Sequence, residues 1–164
     1  VLIAGVGNIF LQDDGFGVEV ARRLALETLP SWVRVVDFGI RGVHLAYEML
    51  DGGYHTTILI DAAPRGEQPG TVYLIEPDLK SFASQPAASF DAHGMDPQLV
   101  FSTLQSFGGV PGRVLIVGCE PLECDEGIGL SEPVQRGVNE AVQLVHAVIE
   151  DLARADAMTG VGVE

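Results

Sequence analysis

Three polar residues, drawn from separate stretches of the chain, have the types needed to hold a metal: Asp14, Asp61 and His93. Two carboxylates and one imidazole suit a borderline divalent ion such as nickel or zinc, and three protein donors leave coordination positions open for a substrate. Asp14 belongs to the paired acid Asp13-Asp14, flanked by Gly15 and Gly17 at the expected start of a helix, where the helix dipole favours an ionised carboxylate. Asp13 reads as a plain N-cap of that helix. Asp61 closes the apolar run Thr57-Ile58-Leu59-Ile60, and a carboxylate at the mouth of a buried strand is costly unless it caps, pairs or meets a cation. Capping alone is an equal explanation. His93 stands in Asp91-Ala92-His93-Gly94, where a lone loop histidine is ordinarily just solvated. Spacing by itself does not bring the three together.

Other chemistries fit less well. Gly5 and Gly7 suggest a dinucleotide turn, but Phe10 replaces the third glycine of G-x-G-x-x-G and the helix begins several residues late. No G-x-S-x-G elbow exists, and Cys119 and Cys124 sit in no CxxC or CxxH cluster, so they read as reduced thiols. His44 and His146 fall within expected helices and His55 lies before a strand, so surface or packing roles are expected for all three. Asp37 follows a strand and either lines the same cleft or caps a turn.

The elements that must position these residues are strands alternating with helices, the pattern of a parallel sheet covered on its faces. Strands are expected at 1–5, 33–38, 56–62 and 113–118, with an edge strand at 71–75. Helices are expected at 15–29, carrying Phe16, Val20, Leu24 and Ala25 on one stripe, and at 43–50 and 98–107. The last of these carries Leu99, Val100, Thr103, Leu104 and Phe107 on one face. A final helix, N-capped by Ser131, is expected to run to about Ala153. Residues 76–93 lack a period and read as a long surface loop, and 154–164 as a flexible C-terminal tail behind a single domain spanning 1–153. In sheets of this kind ligands bind beyond the carboxyl ends of the strands, where Asp14 and Asp61 lie.

Composition narrows the partners. The 164 residues carry 9 Lys plus Arg against 23 Asp plus Glu, a formal net charge of -14 at pH 7. So few cations cannot neutralise many phosphates, which argues against nucleic acid and against an anionic membrane surface. With 47% hydrophobic residues and seven Phe, the chain is a compact acidic globule rather than a disordered one. It contains no apolar run of the roughly 18 residues that a spanning helix requires. A cytoplasmic monomer is expected.

The order of these pieces resembles the nickel-iron hydrogenase maturation proteases. The likeness rests on GVGNIFLQDDGFGVEV at the start, ILIDAAP with its acid, the following PGTVY, the histidine in DAHGM and the later VGCEPLECDEGIGLSEPV. The resemblance implies an α/β three-layer sandwich with a twisted, mostly parallel five-stranded sheet and helices on both faces. It implies an endopeptidase, of a kind described as aspartyl-type, that removes the C-terminal extension of a hydrogenase large-subunit precursor after nickel insertion. The positions matching Asp14, Asp61 and His93 would recognise that nickel, which the substrate supplies, and no organic cofactor is implied. This chain departs from the family pattern in having Asp14 where Glu is frequent, and Asp37-Phe38-Gly39-Ile40 where many members have D-G-G-T. Two alternatives stay open: a nickel-binding accessory protein without peptidase activity, which would use the same ligands, and a nucleotide-binding module, which would use the turn at Gly5–Asn8 instead.

Overall fold

A computed structural model describes residues 1–78 and 97–159. In chain order the elements are β1 (Leu2–Val6), a 3-10 turn (Gln12–Gly15), α1 (Phe16–Leu24), β2 (Arg34–Gly39), α2 (Gly42–Asp51), β3 (Thr56–Ala62) and β4 (Val72–Ile75). They continue with α3 (Pro97–Ser106), β5 (Arg113–Cys119) and α4 (Glu132–Thr159). The strands form one sheet in the order β2-β1-β3-β5-β4, parallel except for β4, which runs antiparallel along β5 at the edge. The architecture is the α/β sandwich expected, with five strands and helices on both faces.

Alternation along each central strand divides the core into two layers. Ile3, Ile58, Ile60, Leu115 and Val117 face α1 and α4, packing against Phe16, Val20, Val138 and Val145. Leu2, Ala4, Leu59, Val114 and Ile116 face the opposite way, toward Leu45 and Ala46 of α2 and Val100, Phe101 and Leu104 of α3. Because β1 is followed by β2 on one side and has β3 on its other, the strand order reverses between β1 and β3. The crevice at that switch point lies beyond their carboxyl ends.

Several boundaries differ from the sequence reading, each for an identifiable reason. α1 stops at Leu24 rather than at residue 29, because Glu27 and Thr28 occupy the turn where the buried stripe would continue, and Leu26 is 89% exposed. Ala25 is likewise exposed and leaves the stripe. Phe101 of α3 is buried, while Phe107, just past the end of α3 at Ser106, is exposed and stacks on Tyr47, their ring centroids 4.8 Å apart. α4 continues through Thr159, past Ala153, so residues 154–159 are helical rather than a tail; Ala155 and Ala157, both exposed, have the helix propensity to sustain them.

Two local constraints set the entrance to α1. Gly5 and Gly17 bring the helix onto the sheet backbone: a Cβ on Gly17 would lie 2.0 Å from the Ile60 carbonyl oxygen and 2.4 Å from that of Val6, and one on Gly5 would lie 2.3 Å from the Gly17 oxygen. No other residue permits so close an approach.

The second constraint is Asp13, which is completely buried and is not an N-cap. Its Oδ2 accepts the backbone N–H of Leu122 (2.8 Å), that of Glu123 (3.2 Å) and the hydroxyl of Ser131 (2.8 Å), and its Oδ1 accepts the backbone N–H of Ser131 (2.7 Å). Ser131 therefore gives its hydroxyl to Asp13 instead of capping α4, and one carboxylate fastens the 120–131 segment to the loop after β1. Reciprocal backbone bonds strengthen the seam, from Gln12 N–H to the Gly127 oxygen (3.1 Å) and from Gly127 N–H to the Phe10 oxygen (2.9 Å). Gln12 adopts φ 46°, a left-handed turn that a non-glycine residue enters at a cost of about 1–2 kcal/mol.

Gly17→Ala should cost about 3 kcal/mol through backbone overpacking, seen as a melting temperature lower by about 10 °C. Asp13→Ala should cost at least about 3 kcal/mol because it strands several buried donors. Hydrogen exchange should then accelerate at the amides of Leu122, Glu123 and Ser131, while β1 and β3 keep their protection.

Candidate functional site

Asp14 and Asp61 come together at the carboxyl ends of β1 and β3. Asp14 is carried by the 3-10 turn, half-buried, and its Oδ2 accepts the Asn8 backbone N–H at 2.6 Å. Gly7 makes that turn possible, since its φ is 125° and a Cβ there would fall 1.8 Å from the Asp14 carbonyl oxygen. Asn8 in turn accepts the Phe10 N–H on its own side-chain oxygen at 3.0 Å, so the turn is closed by local bonds. Asp61 is the penultimate residue of β3, 7% exposed and opposite Gly118 in the register with β5.

Electrostatics link the two acids through a third group. The Cys124 thiol is pushed up to about 11, first by burial and then by the negative charges of Asp14, Asp13 and, further down, Asp61. Asp14 itself is raised above the usual carboxylate range because burial strips solvent from it, an effect that the Asn8 hydrogen bond only partly offsets. The crevice thus holds incompletely solvated negative charge, which a cation would relieve.

Beyond β3 and β5 a second polar group shapes the far wall. Glu120, buried just after β5, accepts the backbone N–H groups of Arg65 (2.7 Å) and Gly66 (3.3 Å) and so holds the connection between β3 and β4. The Tyr73 hydroxyl donates to the Ala63 carbonyl, and the Arg65 guanidinium carbon lies 5.1 Å from the Tyr73 ring centroid. Burial, with the Glu120 charge next, pushes the Tyr73 hydroxyl up to about 12. Tyr73 stays protonated and structural. Cys119, fully buried, is likewise pushed up to about 12, chiefly by burial, and is an inert thiol.

Of the sequence candidates, the structure brings Asp14 and Asp61 to one crevice, while His93 lies outside the described residues. Among the described residues no group of three or more His, Cys, Asp and Glu side chains stands in metal-holding geometry. Asp37 sits at the neighbouring end of β2 and pairs with Arg22 at 3.2 Å, so it is an ion-pair partner and not a turn cap. His44 and His55 are exposed, and His146 meets Glu27 at 2.5 Å on the surface. Cys119 and Cys124 are both free thiols, as read. Glu120, Tyr73 and the placement of Cys124 beside the two acids escaped the sequence reading. Glu120 had a usable signal, being a polar residue directly after a strand; Cys124 had none, since the long-range Asp13 bonds place its loop.

With this geometry in view, comparison with known proteins is informative. Residues 18–148 match the model of the HycI hydrogenase maturation protease family. The chain is 32% identical over 154 residues to the hydrogenase expression/formation protein HupD of Rhodobacter capsulatus, covering 90% of this chain and 71% of that one. It is 28% identical over 156 residues to the hydrogenase 2 maturation protease of Escherichia coli K12, covering 92% and 91%. Among solved structures it superposes on the hydrogenase maturating endopeptidase HybD of Escherichia coli with a TM-score of 0.75 at 27% identity, covering 92% of this chain and 91% of that one. The hydrogenase 2 maturation peptidase of a Thaumarchaeota archaeon gives a TM-score of 0.69 at 30% identity, covering 90% and 96%. A family model matching most of the chain, and relatives matching nearly all of it, agree with the crevice at the sheet switch point: the chain belongs to the hydrogenase maturation protease family.

Proposed function

We propose that this protein is the endopeptidase that removes the C-terminal extension of a nickel-iron hydrogenase large-subunit precursor, and that it acts once nickel is in place. The observation that carries the reading is the pair Asp14 and Asp61 at the switch point, with Asp14 held above the ordinary carboxylate range by burial. A carboxylate that pays desolvation gains from a nearby cation. The nickel is substrate here: it arrives bound to the precursor and takes Asp14, Asp61 and His93 as added ligands, a set of oxygen and imidazole donors that suits it.

Such recognition makes processing a checkpoint. A precursor without nickel lacks the anchor and does not dock its scissile segment in the crevice. A carboxylate of the crevice that the nickel leaves free is suited to general-base work on the attacking water. Asp14 acts as a ligand only while ionised, so capture of the nickel-loaded precursor weakens on acidification.

Incubation with nickel-loaded precursor should shorten it by a C-terminal peptide, read by intact mass, while nickel-free precursor stays whole. An unchanged mass for nickel-loaded precursors would instead favour a nickel-binding accessory protein. Asp14→Ala and Asp61→Ala should each reduce processing at least about 100-fold, with circular dichroism unchanged.

A second measurement tests the raised pKa of Asp14. The folded value exceeds the unfolded one, so wild type loses stability as pH rises from the unfolded value through the folded value, and Asp14→Asn is spared that loss. Asp14→Asn should melt higher than wild type at pH 7, and the difference should close at pH 3.

A further inference from the structure

Next to the candidate site, a pocket of about 230 Å³ opens between the loop after β1 and the loop after β2. Its apolar lining comes from Ile9, Phe10, Val18, Phe38 and Ile40. Val18 and Phe38 are core residues that form the floor, but Phe10 is 62% and Ile40 65% exposed. Two large apolar side chains facing each other in water across a pocket are costly unless something covers them.

Continuity and charge say what that occupant is. Gly7 and Asn8 line the pocket, and the same two residues hold Asp14: Asn8 N–H binds its carboxylate, and Gly7 makes room for its backbone. An extended polypeptide advances roughly 3.3 Å per residue, so a chain crossing Asp14 reaches the pocket within a few residues. The charges on the lining are cationic or already paired. Arg22 is bound to Asp37, while Arg41 donates to the carbonyl oxygens of Phe38 (3.0 Å) and Asp37 and has no carboxylate in salt-bridge contact among the described residues. Two of the nine cations in a chain of net charge -14 therefore flank this one pocket. A lysine or arginine of the partner is repelled here, in contrast to the acidic crevice beside it.

We propose that this pocket receives an apolar side chain of the precursor, a few residues from the cleaved bond, and that Phe10 and Ile40 set which precursors are accepted. The inference rests on the protease reading above and adds a specificity pocket to it. Ile40 stands in the loop after β2, so a change there alters the pocket wall without touching the two acids.

The test is a coupled substitution experiment with nickel-loaded precursor. Phe10→Ser and Ile40→Ser, at exposed positions, should melt like wild type and process the precursor with KM raised about tenfold and kcat little changed, while Ile40→Leu restores wild-type KM. In parallel, each precursor residue flanking the cleaved bond is changed to Ser and to Lys. One apolar position should lose about tenfold against wild type and nothing further against Ile40→Ser, and Lys there should be worse than Ser. If wild type cuts no nickel-loaded precursor, the protease reading fails. If wild type cuts and both Ser variants cut with wild-type KM, or if no flanking residue couples to Ile40, the pocket proposal is overturned while the protease reading stands. A wild-type dimer in sedimentation that Phe10→Ser dissociates would also overturn it, because the patch would then be covered by a second copy.

Discussion

Everything at the active end of this protein depends on how near α1 comes to the sheet. Gly17 rests against the carbonyls of Val6, at the end of β1, and of Ile60 in β3, and Gly5 accepts Gly17 in return. That contact fixes where the turn before α1 must lie, directly over the switch point, and hence where Asp14 projects. A helix displaced outward by one methyl group would move the carboxylate away from Asp61 and open the crevice to water. Side-chain packing on both faces of the sheet supplies most of the stability, but it could be satisfied by many small readjustments. The backbone contact cannot.

Two adjacent acids put the same functional group to opposite uses. Asp13 is fully enclosed and takes four hydrogen bonds, so its charge is spent on holding two distant segments together. Asp14, one residue later, accepts the Asn8 backbone N–H and is only partly buried. Burial raises its pKa, so its charge is poorly solvated. The difference arises from the left-handed Gln12 and the 3-10 turn, which aim successive side chains to opposite sides of the loop. The raised pKa means that ionised Asp14 costs the fold some stability.

How much was legible in the sequence depended on how local the cause was. β3 appears at the very residues its apolar run marked, and the two acids fall at strand ends, because burial pattern and strand direction are properties of a few adjacent residues. The ends of α1 and α4 were misjudged. At Leu26 apolar character continues with no core left to receive it, and after Ala153 helix propensity carries the helix on without an apolar stripe to announce it. Asp13 was read as a cap because its true partners are 109 to 118 residues away. No local pattern encodes such a partner.

That separation has a bearing on the order in which the protein is made. Strands β1 and β3 and the helices between them can associate early, through contacts of modest sequence distance. The turn bearing Asp14 is held from the other side by residues 122–131, which leave the ribosome after most of the chain, and contacts of such long range are entropically late. During synthesis the sheet can exist before its crevice does. The protein thus acquires its candidate site last, when β5 and the loop behind it have been delivered.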